Sequence, residues 1–178
     1  MKKKEKKQSF LEWLLFFMLA IFLGYAIMRA SYIQQVYKDF REAIDGSAAI
    51  TSNYIKKGNF IYGVTTPQFP LWNGGSVYIS EQGVIYADGK TFDKVDLEIY
   101  PQMHTGYKIE VEVDCFFYDE EKNVPYSEKH VFQLDEKMKL LSAVSEAEKE
   151  IFEAHIPQIK ERYQQAYEMW GILRLEDE

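Results

Sequence analysis

The fold is decided by a twelve-residue stretch, YKIEVEVDCFFY, at residues 107–118. Apolar and acidic residues alternate along it, so that Ile109 and Val111 point to one side and Glu110 and Glu112 to the other, because successive side chains of a strand face opposite ways. A strand with one apolar and one polar face is typical of an antiparallel sheet that is buried on one side. The stretch therefore predicts a long strand of such a sheet.

Shorter strands are predicted around this one, separated by turns such as residues 81–83, where a glycine suits a three-residue hairpin loop. Residues 65–75 contain two prolines and two glycines and predict a loop. Its three large apolar residues form either a lid over the core or an exposed recognition tip. The shorter strands and the long strand together are expected to form an antiparallel meander of six or seven strands. The shorter strands are Phe60–Val64, Ser76–Ser80, Val84–Ala87, Val95–Tyr100, Val124–Leu134 and Met138–Leu141.

The C-terminal part of the chain predicts helices that cover the apolar side of the sheet. Ser145 and Glu148 have the spacing of a capping box at a helix start. Pro157 is expected to kink or split the helix, and Gly171 to end it. Between them, apolar residues from Ile151 to Trp170 recur at helical spacing. The fold class expected from sheet and helices together is α+β.

The N-terminus predicts a membrane anchor. Five lysines lie within residues 2–7, and residues 13–28 carry no charge, a length near the lower limit for a membrane-spanning helix. Because cytoplasmic flanks are rich in lysine and arginine, we expect the N-terminus in the cytoplasm and the rest of the chain outside. The competing interpretation is a signal peptide that is cleaved after Ala26.

Past the anchor, apolar residues recur at helical spacing up to Gly46 and predict a stalk helix that packs on its own domain. A second short helix is expected between Ser47 and Lys57, ended by Gly58-Asn59. The predicted organisation is thus a lysine-rich cytoplasmic tail (1–12), a transmembrane anchor (13–28), stalk or packing helices (29–58) and an extracytoplasmic α+β domain (59–178).

Charge is distributed unevenly along the chain. The net charge is −7, yet residues 1–30 contain six Lys/Arg against two Asp/Glu, which leaves fifteen against twenty-six for the remainder. An acidic domain repels nucleic acid and suits either a cationic partner or simple solubility. We therefore expect no nucleic-acid binding.

Sequence motifs of catalysis are missing. His104, His130 and His155 are scattered without the spacing of metal ligands, and Cys115 has the parity of the buried face. The sequence has neither a Gly-x-Ser-x-Gly segment nor a glycine-rich phosphate loop. We expect no enzymatic activity, no cofactor and no metal site.

Five carboxylates are expected to share the polar face of two neighbouring strands, where they form the candidate partner-binding surface. Only Lys108 is interspersed among them in the sequence, and unpaired like charges on adjacent strands cost stability. Three interpretations are open: a docking surface for a basic partner, a merely solvated face, or an acid pair for glycoside or metal chemistry. The candidate residues are Asp96, Glu98, Glu110, Glu112 and Asp114, with Tyr100, Phe116 and Tyr118 as bordering aromatics.

Two short segments carry a family resemblance. They are Tyr-Pro-Gln-x-x-x-Gly-Tyr-Lys from Tyr100 to Lys108, and Ala-Tyr-Glu-Met-Trp-Gly from Ala166 to Gly171. Together with the lysine-headed anchor and the acidic domain, they make the chain resemble the TipC-type immunity proteins. The resemblance implies a protein on the outer face of a Gram-positive cell that neutralises a toxin exported by type VII secretion, with a sheet face as the toxin-binding surface.

The function expected from the sequence is therefore a membrane-anchored extracytoplasmic binding protein, best explained as an immunity protein whose partner is a basic-surfaced secreted toxin. A structural or assembly subunit of a secretion or pilus machine is the first alternative. A metal-dependent envelope enzyme is the second.

Overall fold

The structure is a computed structural model and describes residues 2–45, 53–65, 75–82, 93–102, 106–119, 121 and 124–175, without the side chains of residues 2–9, 45, 118, 119 and 125. Over these residues the chain has an α+β fold: a long N-terminal helix, six antiparallel strands and two C-terminal helices. The helices are α1 (Lys2–Asp45), α2 (Glu146–Ala154) and α3 (Ile156–Trp170). The strands are β1 (Tyr54–Lys57), β2 (Phe60–Thr65), β3 (Ser76–Glu81), β4 (Lys94–Gln102), β5 (Gly106–Asp119) and β6 (Val124–Leu134).

Helix α1 has two parts with opposite surroundings. Among the described residues it is the one helix long and apolar enough to cross a membrane, over Phe10–Ile44. Large apolar side chains in its first part are exposed, as Trp13 is at 70%. In its last part Ile33, Tyr37 and Phe40 are buried in the core of the domain. The prediction that this part of the helix packs on its own domain is confirmed.

The sheet is a meander in which every strand pairs antiparallel with the next, in the order β1 to β6. The predicted short helix between Ser47 and Lys57 is wrong for its last four residues, which form β1. Gly58 and Asn59 are a hairpin turn rather than a helix end, because Lys57 pairs directly with Phe60 and Gly58 has a φ of +59°. Residues 47–52 lie outside the described chain.

Several other predicted elements can be compared with the structure. The long strand is confirmed as β5 and the strand Val124–Leu134 as β6. Residues 138–141 do not form a strand: Leu140 makes one isolated bridge to Leu134, since Met138 adopts a positive φ of 62° that interrupts an extended run. The predicted strand Val84–Ala87 and the loop residues Phe69, Leu71 and Trp72 fall outside the described residues.

The core lies between the helices and the side of the sheet that we call the inner face. Val95, Leu97 and Ile99 of β4 are fully buried there, as are Ile109, Val111 and Val113 of β5. Helix α3 contributes Ile159, Tyr163 and Ala166, and α1 contributes the buried residues of its last part. Burial of these side chains is the main stabilising term of the fold.

The C-terminal helices begin and end as the sequence predicts. Ser145 and Glu148 form both hydrogen bonds of the capping box, and Gly171 ends α3 with a φ of 71°. Pro157 does not merely kink one helix; it lies in the first turn of a new helix, α3, where its missing N–H is tolerated. The junction between α2 and α3 is His155, which is buried.

A buried arginine fastens α3 to the sheet where two strands separate. Strands β3 and β4 share only the register pairs from Val77–Ile99 to Ile79–Leu97. Beyond these pairs, Arg162 of α3 donates to the Val95 carbonyl at 2.8 Å and to the Glu81 carboxylate at 2.9 Å, with 2% of its side chain exposed. The arginine therefore replaces a missing strand partner.

Candidate functional site

The carboxylates that the sequence analysis singled out lie together on the side of the sheet opposite the helices, which we call the outer face. Asp96 is directly opposite Glu112, and Glu98 directly opposite Glu110. Asp114 continues the row on β5. All five are half-buried. The prediction that they share one face is confirmed, since β4 and β5 alternate in the register that the sequence indicates.

The expectation that Lys108 alone accompanies these carboxylates is wrong. Three lysines pair with them among the described residues: Lys94 precedes the predicted start of β4, and Lys129 comes from β6. The β5–β6 register aligns Lys129 with Asp114 and Val131 with Glu112, a pairing that alternation within a single strand does not reveal. The ion pairs are Lys94–Asp96 at 2.5 Å, Lys108–Glu110 at 2.8 Å and Lys129–Glu112 at 2.6 Å.

Asp96 has a structural role on the outer face. Its carboxylate accepts from the Ser80 hydroxyl at 3.0 Å and from the Glu81 backbone N–H at 2.9 Å. Both donors belong to β3 at the place where its ladder to β4 ends. Asp96 thus closes the gap from the outer side, as Arg162 closes it from the inner side.

Glu98 and the neighbouring tyrosine form a hydrogen-bonded group in the middle of the row. Glu98 accepts from the Ser76 hydroxyl at 2.5 Å. Burial, followed by hydrogen bonds to Glu98 and Glu110, raises the pKa of Tyr100 well above its ordinary value. The ammonium of Lys108 lies 5.5 Å from the centre of the Tyr100 ring. These hydrogen bonds hold Glu98 and Glu110 in place on the outer face.

The negative charge of Asp114 is less well neutralised than that of the carboxylates that pair directly with a lysine. Burial, and after it the charge of Glu112, raises the pKa of Asp114, although Lys129 and Lys94 act against that rise. Phe116 lies half-buried on the same face, and its backbone N–H donates to Asp93 at 2.9 Å. The backbone of Tyr118 belongs to β5, while its side chain lies outside the described part of the structure.

A concavity of about 300 Å³ opens on the outer face over β3, β4 and β5. Four of the carboxylates line it: Asp96, Glu98, Glu110 and Glu112. Tyr78 forms one wall, and its ring lies so close over Gly63 that a Cβ there would overlap it, a close approach that explains a glycine inside a strand. Val131, 54% exposed, forms part of the opposite rim.

The arrangement is an acceptor-rich site for a cationic group. Five carboxylates of β4 and β5 meet three paired lysines, so an excess of two negative charges is left on this part of the outer face. Carboxylates bind guanidinium groups through two parallel hydrogen bonds where the geometry permits. A guanidinium or ammonium group is therefore the chemistry that the concavity accommodates.

The structure also brings together three residues that the sequence analysis treated as unrelated. Asp93, Cys115 and His155 place one potential metal-ligating atom each within 4.8 Å of one another. The spacing of the histidines along the sequence does not indicate this grouping around His155. No sequence pattern connects the three residues, because Asp93 lies just before β4, Cys115 in the middle of β5 and His155 at the α2–α3 junction.

Comparison of the chain with protein-family models, with curated proteins and with solved structures finds no match.

Proposed function

We propose that this chain is a membrane-anchored binding protein whose outer face holds a basic segment of a protein partner. In this proposal α1 crosses the membrane over residues 13–28, with the lysine-rich N-terminus in the cytoplasm and the sheet domain outside. The exposed apolar surface of α1 supports the anchor, and the five lysines before it support the orientation. The proposal includes no enzymatic activity and no nucleic-acid partner.

The observation that carries the binding proposal is the concavity lined by four half-buried carboxylates. Hydrogen bonds from Ser76, Ser80 and Tyr100 fix three of the four carboxylates in advance, all but Glu112, which reduces the ordering cost of binding. The excess negative charge steers a basic partner and accelerates association. Val131 and Tyr78 add apolar contact area at the edge. Tryptophan, tyrosine and arginine are the residues that most often dominate the binding energy of protein interfaces.

The finer proposal is that the partner is a toxin exported by type VII secretion and that this chain protects the cell that carries it. It rests on the resemblance to TipC-type immunity proteins and on the position proposed for the domain at the outer surface. A protein that waits for an incoming toxin needs to be held where the toxin arrives, which is what a single-helix anchor achieves. The five acidic residues suit a toxin with a basic surface.

The binding proposal can be tested in living cells with a photo-crosslinking amino acid. It replaces Val131 on the rim of the concavity in one variant and Tyr126 in another. Tyr126 is 47% exposed, against 54% for Val131, but has the parity of the inner face and stacks on Phe117. We expect a secreted basic protein to be crosslinked from position 131 and not from 126. Equal crosslinking from both positions, or none from 131, contradicts the proposal.

The immunity proposal needs a separate experiment. Neighbouring genes are first searched for a toxin with an N-terminal secretion domain, and that toxin is added to cells that do or do not make this chain. We expect only cells with the chain to survive, and protection to disappear in a double Glu110→Gln, Glu112→Gln variant. Survival that does not depend on the chain, or a neighbourhood of pilus genes, contradicts it and favours an assembly subunit.

A further inference from the structure

A second site lies on the inner side of the sheet, away from the acidic concavity. Nε2 of His155 is 3.1 Å from Oδ2 of Asp93, and Sγ of Cys115 lies within 4.8 Å of the ligating atoms of both. His155 and Cys115 are buried, with 6% and 7% of their surface exposed, whereas 36% of the Asp93 side chain is exposed. The three groups therefore share a small space that opens to solvent on one side.

The histidine is oriented with its ligating nitrogen toward the other two groups. Its Nδ1 lies 2.7 Å from the Ile151 carbonyl oxygen. A carbonyl can only accept, so Nδ1 carries the proton and donates it. Metal-binding histidines characteristically donate their second ring N–H to a backbone carbonyl or carboxylate, which fixes the ring. Nε2 is then the nitrogen that faces Asp93 and Cys115.

The carboxylate is held just as firmly. Oδ1 of Asp93 accepts from the backbone N–H of Phe116 at 2.9 Å, which leaves Oδ2 directed at His155. Phe116 follows Cys115 directly, so the backbone contact that positions Asp93 also sets its distance from the thiol. Each ligating carboxylate or imidazole in a built metal site has such a supporting partner.

We propose that Asp93, Cys115 and His155 bind one divalent cation of the zinc class. A thiolate, an imidazole and a carboxylate are the three ligand types that Zn²⁺ uses in proteins. The softness of sulfur selects against magnesium and calcium, which require oxygen ligands. The two negative charges of thiolate and carboxylate balance the charge of the ion. A fourth position, reached from the exposed side of Asp93, is left for water or a group of another molecule.

The ion would act as a clamp between parts of the chain that are distant in sequence. Asp93 immediately precedes β4, Cys115 belongs to β5, and His155 joins α2 to α3. Binding only in the folded state stabilises that state. The clamp would fix the helical layer onto the inner face independently of anything bound on the outer face, so this inference does not depend on the proposed function.

The test uses the full chain in detergent micelles, with Co²⁺ as a spectroscopic probe and Zn²⁺ as a competitor. We expect one Co²⁺ per chain, a thiolate-to-cobalt charge-transfer absorption and a tetrahedral d–d spectrum, all removed by one equivalent of Zn²⁺. Zn²⁺ is also expected to raise the melting temperature. The absence of any thiolate–cobalt absorption from the wild-type chain overturns the inference.

Variants identify the ligands. Cys115→Ser and His155→Gln are expected to lose the cobalt spectrum. Calorimetry should show Zn²⁺ affinity lower by at least about a hundredfold, because loss of even a supporting residue costs about 10–100-fold. Asp93→Asn changes an exposed residue, so it tests the site even if Cys115→Ser and His155→Gln fail to fold. It should weaken Zn²⁺ binding by the same factor. His130→Gln is the matched control and should keep full binding. Unchanged affinity in Asp93→Asn, or equal loss in His130→Gln, overturns the inference.

Discussion

The two faces of β4 differ in character within nine consecutive positions. Val95, Leu97 and Ile99 point to the inner face and are fully buried under the helices, while Asp96 and Glu98 point to the outer face and line an open concavity. The inner residues act through apolar burial, which depends on area and not on direction. The outer residues act through hydrogen bonds and charge, which depend on geometry. One strand therefore supports the fold with one set of residues and presents a surface with the other.

The division of labour between the two faces of β4 is incomplete. Asp96 belongs to the outer face, yet it closes the gap between β3 and β4. Glu110 and Glu112, by contrast, pair with lysine side chains that are 43% and 58% exposed. Substitutions on the inner face should consequently lower stability, and substitutions on the outer face should weaken binding. Asp96 is expected to affect both.

The largest loss of stability is expected for Trp170→Ala on the inner side. Its ring packs edge-on against Phe40 of α1 and Tyr62 of β2, and its Nε1 donates to the Phe40 carbonyl at 3.3 Å. We expect the free energy of unfolding to fall by about 3–5 kcal/mol, measured by urea denaturation of the full chain in micelles. Tyr126→Ala, which removes an exposed aromatic ring, is the control and should cost far less. Equal effects would mean that Trp170 is not part of the core.

A smaller loss is expected for Arg162→Ala. The substitution removes the donor to Val95 and the partner of Glu81. Hydrogen bonds made by charged groups are each worth about 1.5–3 kcal/mol, and we expect a loss of stability in that range by the same denaturation measurement. Lys160→Ala, on the exposed side of α3, serves as the control. An unaltered unfolding curve for Arg162→Ala would show that the gap between β3 and β4 needs no filling.

Asp96→Ala tests whether an outer-face residue can behave like an inner one. It leaves the Ser80 hydroxyl and the Glu81 N–H without their acceptor. We expect a loss of about 1–2 kcal/mol, less than for a fully buried donor because Asp96 is half-buried. Faster amide exchange of Glu81 would locate the effect. Exchange at Glu81 that equals wild type would contradict the structural role of Asp96.

Asp114→Asn is expected to have the smallest effect, and in the opposite direction. Because burial and Glu112 raise the folded-state pKa of Asp114, the folded state binds more protons than the unfolded state between the two pKa values. The stability that this group contributes therefore falls as pH rises through that window, which starts near pH 4. The neutral amide removes the penalty, so we expect a gain of about 0.2–1 kcal/mol at neutral pH. Denaturation at acidic and neutral pH should show the gain at neutral pH alone.

Much of this fold is predictable from the sequence because its determinants are local. Alternation along residues 107–118 predicts β5 and its two faces, and the capping box at Ser145 predicts the start of α2. The prediction that Gly58-Asn59 ends a helix is wrong, because a glycine with positive φ suits a helix end and a hairpin turn equally well. The hairpin turn forms here because β2 pairs with residues 54–57, which precede the glycine.

The candidate sites depend on pairing between distant residues and are harder to predict. The outer face was found because its carboxylates alternate on neighbouring strands, whereas the compensating Lys129 needed the β5–β6 register. Asp93 and His155 are 62 positions apart, and no periodicity connects them. Only the packing of the α2–α3 junction on the start of β4 brings them together.

The central claim is that Glu110 and Glu112 bind a partner through their charge and contribute little to the stability of the fold. Replacing Glu110 and Glu112 with glutamine removes two ion pairs whose carboxylates are 24% and 34% exposed, which costs at most about 1 kcal/mol each. The decisive measurement is the yield of crosslinked partner from position 131 in cells that carry this double variant, normalised to the amount of folded chain. We expect the yield to fall at least tenfold while the unfolding curve stays close to wild type. An unchanged yield from a stably folded double variant would contradict the account.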